Sequence, residues 1–125
     1  MRLLTVLACL ILSACYQSFD VPQVYAPEPS KATEGAKRSA NEEKLVGPVE
    51  VSGVRPANGI APGPYILCVR GNNPTVGLRT YSVFFKNNDY ISSRMSVITD
   101  SCETQAFVEL GSAPFPDVKP ILHST

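Results

Sequence analysis

Apolar positions fall into three regimes along this chain, and each predicts a different kind of segment. Leu3 to Leu12 is a nearly unbroken apolar run of about ten residues. From Tyr16 to about Val46 large apolar residues are isolated among Pro, Ser, Lys, Glu and Ala. From Gly47 to Gly111 they return with the period of two that marks half-buried strands. Val49 and Val51 alternate with Glu50 and Ser52 in Pro48–Val54, which predicts a strand. Tyr65–Arg70 (YILCVR) is apolar on both parities, as in a strand covered on both faces. Thr80–Lys86 places Tyr81, Val83 and Phe85 on one face, and extended structure restarts at Tyr90-Ile91 and continues through Met95 to Thr99. Between these runs, Asn58-Gly59, Pro62-Gly63-Pro64, Gly71–Gly77 and Asn87-Asn88-Asp89 read as turns or loops. Asp100 followed by Glu103 is a capping pattern for a turn or short helix, and Phe107, Val108 and Leu110 supply the last apolar anchors.

The expected fold is α+β or mainly β: a small antiparallel sheet of about four to five strands with at most short helices. The expected division is a leader over 1–14, a tether over 15–46, a globular domain over 47–111 and an extended tail over 112–125. The tether expectation rests on Val21-Pro22, Ala26-Pro27 and Glu28-Pro29, which favour extended backbone. Residues 30–44 admit a frayed helix, but no sustained apolar face is visible there to bury.

The first apolar run is about half the length needed to cross a bilayer. Arg2 precedes it and the small residues Ser13 and Ala14 follow it, which is the order of a cleaved signal. Leu12-Ser13-Ala14-Cys15 resembles the lipobox of bacterial lipoproteins. The resemblance implies cleavage before Cys15 and attachment of acyl chains such as palmitate to that residue. Two or three chains hold a protein to a bilayer, where one holds only marginally. Tyr16 rather than Asp after the cysteine implies sorting to the outer membrane, facing the periplasm. An ordinary secretory signal cut near Ala14 is the alternative.

Composition narrows the function classes. The 125 residues carry 11 Lys and Arg against 11 Asp and Glu, with one His and no Trp. No basic stripe or aromatic-interleaved basic cluster occurs, which argues against nucleic acid as a partner. Of four cysteines, the lipobox resemblance implies that Cys9 leaves with the leader and Cys15 takes lipid. Cys68 and Cys102 remain, in a compartment where disulfides persist, and a domain of this size needs such a staple. Their spacing is not the Cys-x-x-Cys of redox motifs.

Catalytic patterns are missing. His123 is the only histidine and lies near the end of the chain, so Ser-His-Asp and Cys-His arrangements find no support. Asp89, Asp100, Glu103 and Glu109 fall at expected turns or exposed positions. Neither a metal nor a cofactor is implied. Arg70, Arg79 and Arg94 punctuate the central strands; gathered together, they would suit an anionic envelope ligand. Tyr65, Tyr81 and Tyr90 could line a face, though strand tyrosines more often complete a core.

Tyr65, Cys68, Val69 and Arg70, then Val83, Phe84 and Phe85, then Cys102, Gln105 and Phe107 follow a Tyr-x-x-Cys-Val-Arg … Cys pattern. It resembles a group of small alphaproteobacterial lipoproteins, common in rhizobia, that have no assigned activity. Many of them carry a helix and an Arg-Asp strand upstream of the first cysteine, where this chain has the shorter Pro48–Gly59 stretch. The resemblance implies a location and a disulfide, but no catalytic residues. The expected function is therefore that of a membrane-anchored envelope lipoprotein, not an enzyme, acting by binding or structural contact with an envelope protein or anionic ligand. A lysozyme-inhibitor-like protein using the Gly71–Gly77 loop is the alternative. A small envelope hydrolase is a third reading, resting only on available carboxylates.

Overall fold

The structure, a computed structural model, describes residues 22–111. The leader, Cys15 and the tail expected over 112–125 lie outside the described residues. Among the described residues one helix, α1 (Pro29–Glu42), precedes six strands: β1 (Val46–Val51), β2 (Arg55–Pro56), β3 (Tyr65–Asn73), β4 (Gly77–Lys86), β5 (Asp89–Met95) and β6 (Val108–Glu109). They form one antiparallel sheet in the order β5-β4-β3-β1-β6, with β2 also paired to β3. The mainly-β expectation and the disulfide are both present. Two of the six strands are only two residues long.

The β3–β4 hairpin is the centre of the sheet, paired from Tyr65↔Phe85 to Asn73↔Gly77. Residues directly opposed in an antiparallel ladder share a face. Leu67, Val69, Tyr81, Val83 and Phe85 therefore form one face, and Ile66, Cys68, Ser82 and Phe84 the other. All nine are buried, which is why both strands read as continuous apolar runs rather than alternating ones.

Helix α1 covers the first face. It buries Ala32, Gly35, Ala36, Ser39 and Ala40, the i, i+3, i+4, i+7, i+8 stripe of an amphipathic helix. The cluster beneath combines Ala32 and Ala36 with Val51, Val54, Leu67, Val69, Val83 and Phe85. Pro29 opens the helix where its missing N–H costs nothing. At the other end Leu45 N–H donates to the Ala40 carbonyl (2.9 Å) and Lys44 N–H to Asn41 (3.1 Å), with Lys44 in the left-handed region at φ 54°. That is a Schellman ending built on lysine rather than glycine.

This helix corrects the tether expectation. The stretch expected to be flexible over 15–46 is, from Pro29 to Glu42, an ordered layer of the fold. The stripe shows no apolar face in the sequence because it consists of Ala, Gly and Ser, and small residues let a helix approach a sheet closely without a large apolar signature. Residues 25–28 are also held: Tyr25 N–H donates to Asn87 Oδ1 (3.0 Å) and Glu28 N–H to Asn88 Oδ1 (2.9 Å).

The second face is covered by the segment after β5. Two short 3-10 turns, Ile98–Asp100 and Cys102–Thr104, flank Ser101, which is left-handed at φ 55°. The disulfide Cys68–Cys102 ties this segment to β3 across a sequence separation of 34, with Cα atoms 5.8 Å apart. Among the described residues no helix is long and apolar enough to cross a membrane.

Candidate functional site

Polar chemistry concentrates on the disulfide face, around Asp100. Its side chain has no exposed surface. Oδ1 accepts from Arg94 Nη2 (2.9 Å), and Oδ2 accepts from the Ser82 hydroxyl (2.7 Å) and from Val97 N–H (3.1 Å). Arg55 Nη2 donates to the Asp100 carbonyl and lies 3.7 Å from Cys68 Sγ, while Ser82 Oγ sits 3.5 Å from Cys102 Sγ. Each partner is placed by an element: Ser82 by central β4, Arg94 by β5 directly opposite Ser82, Arg55 by β2. Burial, the largest influence, pushes the Asp100 carboxyl up, but the bonds from Val97, Ser82 and Arg94 outweigh it and hold the group below the ordinary carboxylate range. The Arg55 guanidinium is lowered chiefly by burial, with Asp100 and Glu103 opposing that.

The expectation that Asp100 is a solvated turn residue is thus overturned. Its carboxylate reaches back three residues to Val97 instead of capping the turn that contains Glu103, whose N-cap is Ser101. Its position two residues before Cys102 was the available signal: a disulfide half-cystine drawn onto a sheet face draws its neighbours in with it. Chemically the node is closed. Ser82 donates to a carboxylate held below its ordinary range, a weak base, and both side chains are buried. The bonds fasten the turn to the sheet.

Arg70, Arg79 and Arg94 do not gather; two of them are ion-pair partners. Arg79 opposes Gly71 on the helix-side face, whereas Arg70, opposite Thr80 and Glu50, and Arg94, opposite Ser82, lie on the disulfide side. Arg70 is ion-paired with Glu50 and stacks on the Phe107 ring at 4.1 Å. Arg94, two strands away, is ion-paired with Asp100 and lies 5.1 Å from the Phe84 ring centroid. Arg79 Nη1 donates to the Leu78 carbonyl. Without convergence, the anionic-ligand motive drawn from these residues is lost.

Tyr65, Tyr81 and Tyr90 belong to the helix-side face. Tyr81 is buried, and Tyr65 and Tyr90 pack against the apolar cluster. They complete the core, as strand tyrosines more often do. The Gly71–Gly77 loop shrinks to a turn over 74–76, because Gly71 to Asn73 belong to β3 and Gly77 opens β4. Asn73 Oδ1 closes it by accepting from Thr75 and Val76 N–H (2.8 and 3.2 Å).

Open clefts among the described residues include two of note. One, about 390 Å³, is lined by Lys31, Glu34, Gly35, Arg38, Asn88, Asp89 and Tyr90. Its charges are committed in part: Lys31 to Glu34 (3.2 Å), and Arg38 to Glu42 (2.9 Å) while lying 4.1 Å over the Tyr90 ring. The other, about 540 Å³, lies between Val24, the connection from β2 to β3, and Lys86. Among the described residues no group of three or more His, Cys, Asp or Glu is placed to hold a metal. Comparison with protein-family models, with curated proteins and with solved structures finds no match for this chain.

Proposed function

We propose that the protein is a lipid-anchored envelope protein, held through Cys15 to the outer membrane and facing the periplasm, that acts by binding or structural contact rather than by catalysis. The observation that carries this reading is Leu12-Ser13-Ala14-Cys15 at the end of a short apolar run preceded by Arg2. Tyr16 supports outer-membrane sorting. The Cys68–Cys102 bond supports export, because disulfides persist in oxidising compartments. The non-catalytic role is supported by what the ionisable groups do: Asp100 and Arg94 bind a turn to the sheet, and Glu50 and Arg70 bridge neighbouring strands.

The test is fractionation of cells expressing the natural chain or Cys15→Ser, with mass analysis of the mature N-terminus. The natural chain is expected in the outer-membrane fraction with acyl mass on residue 15. The variant is expected in the soluble fraction with its domain folded. A Cys15→Ser chain that still sediments with membranes would refute the anchor.

A further inference from the structure

We propose that the domain rests on its own bilayer through one end of the sheet, with the β2–β3 connection and the β4–β5 turn against the lipid headgroups. This rests on the anchor at Cys15 argued above. Chain connectivity sets the geometry. The bonds from Tyr25 and Glu28 to Asn87 and Asn88 fix the entering chain to the β4–β5 turn, and Pro27 is buried beside them. Cys15 precedes Tyr25 by ten residues. Ten residues reach at most about 35 Å when fully extended and average about 17 Å as a coil. The acyl chains are therefore tethered within about 35 Å of this end. The opposite end, at the 74–76 turn, lies about 30 Å further along β4.

The near end also has the chemistry of a membrane-contacting surface. Ile60, in the β2–β3 connection, is the most exposed large apolar residue among those described, at 89%; Ile98, at 87%, follows β5 on the disulfide face. Asn58 Nδ2 donates to the Thr99 carbonyl (3.0 Å) and so ties their two loops together. The cleft beside Ile60 is lined by Val24, Ala61, Pro62, Pro64 and Lys86, among other small residues, with no carboxylate. Val24 and Tyr25 are exposed at the same end. Tyrosine suits the headgroup layer, where its ring is sheltered and its hydroxyl stays wet, and a lysine ammonium is drawn to lipid phosphate. A tether this short presents the patch to the bilayer at high effective concentration, so weak contacts suffice.

The proposal is tested with the full mature lipoprotein carrying Ile60→Cys, labelled with a nitroxide and reconstituted in phosphatidylethanolamine–phosphatidylglycerol vesicles. Power saturation reads collisions of the label with oxygen and with a water-soluble nickel chelate. Thr75→Cys is the distal control, and the same labels on the unlipidated Cys15→Ser protein give the solution reference. On reconstitution, nickel accessibility is expected to fall and oxygen accessibility to rise at residue 60, with no change at residue 75. The proposal is overturned if acylated, vesicle-bound protein keeps residue 60 as open to nickel as it is in solution, or if both sites change equally. Shielding already present in the unlipidated protein would overturn it too, by showing that a second copy covers the patch. A mature chain without acyl mass would refute the anchor itself and this orientation with it; the mass measurement separates that outcome from the others.

Discussion

Asp100 has no exposed side-chain surface, and an ion in that position costs several kcal/mol unless its oxygens are engaged. Here Ser82, Val97 and Arg94 engage them, and Arg55 takes the carbonyl behind. Asp100→Ala strips three donors of their acceptor at once and is expected to destabilise by about 3 kcal/mol. That figure lies at the low end for a broken buried pair because Arg94 is 40% exposed and regains water. Asp100→Asn keeps the shape and loses the charge, so it should cost less. The sign of the pH effect follows from the lowered carboxyl: the unfolded chain takes up the proton first. The stabilisation is complete above the unfolded value, near 4, and is lost as pH falls through the lower folded value. Urea midpoints measured at pH 7 and between pH 4 and 2 should show a steep acid loss in the natural chain and a shallower one in Asp100→Asn. Equal acid slopes would mean that the charge contributes nothing.

At the scale of elements, α1 depends on a missing side chain. A Cβ on Gly35 would stand 2.5 Å from Cε1 and Cζ of Phe85, whose ring is fully buried and meets Tyr90 edge-on with centroids 6.4 Å apart. Helix propensity favours Gly35→Ala by about 1 kcal/mol, while forcing a methyl into a packed core costs about 1–3 kcal/mol. Packing should win, so Gly35→Ala is expected to lower the melting midpoint although it improves the helix. Phe85→Leu in the same chain should recover part of the loss, a non-additivity that a purely helical effect would not produce. This contact also explains what was legible in the sequence. Strands announce themselves through Val, Ile, Phe and Tyr, so β3, β4 and the start of β5 were readable, as was the Cys68–Cys102 pairing by elimination. The extended run expected through Thr99 instead ends at Met95 and gives way to the 3-10 turn Ile98–Asp100. A helix docked through Ala32, Gly35, Ala36, Ser39 and Ala40 carries its fit in small size, and composition alone resembles a linker. Asp100 was hidden for the opposite reason: its burial is imposed by the disulfide two residues away, and a local pattern of Asp, Ser and Glu looks like surface.

The molecule as a whole is a sheet with unequal covers. On one face α1 closes an apolar cluster of Val51, Val54, Leu67, Val69, Val83 and Phe85. On the other, Ile66 and Phe84 are overlaid by guanidiniums, a carboxylate and two 3-10 turns, so much of the cover there is held by specific bonds rather than apolar area. The disulfide matters most to that second cover. Closing a loop of this length is worth about 4 kcal/mol by chain entropy, a large share of an ordinary domain's stability. Its loss, however, should not be felt evenly. The helix-side cluster contains neither cysteine, whereas residues 97–107 are held to the sheet by Cys102 together with the Asp100 bonds. In the Cys68→Ala, Cys102→Ala chain, hydrogen exchange is therefore expected to accelerate first across 97–110, including the Leu110 N–H bonded to the Val49 carbonyl at 2.8 Å. Amides of α1 and of the β3–β4 hairpin should keep most of their protection, because local opening and global unfolding differ in the surface they expose. A uniform loss across both faces would instead make the disulfide a global staple and the two covers one cooperative unit.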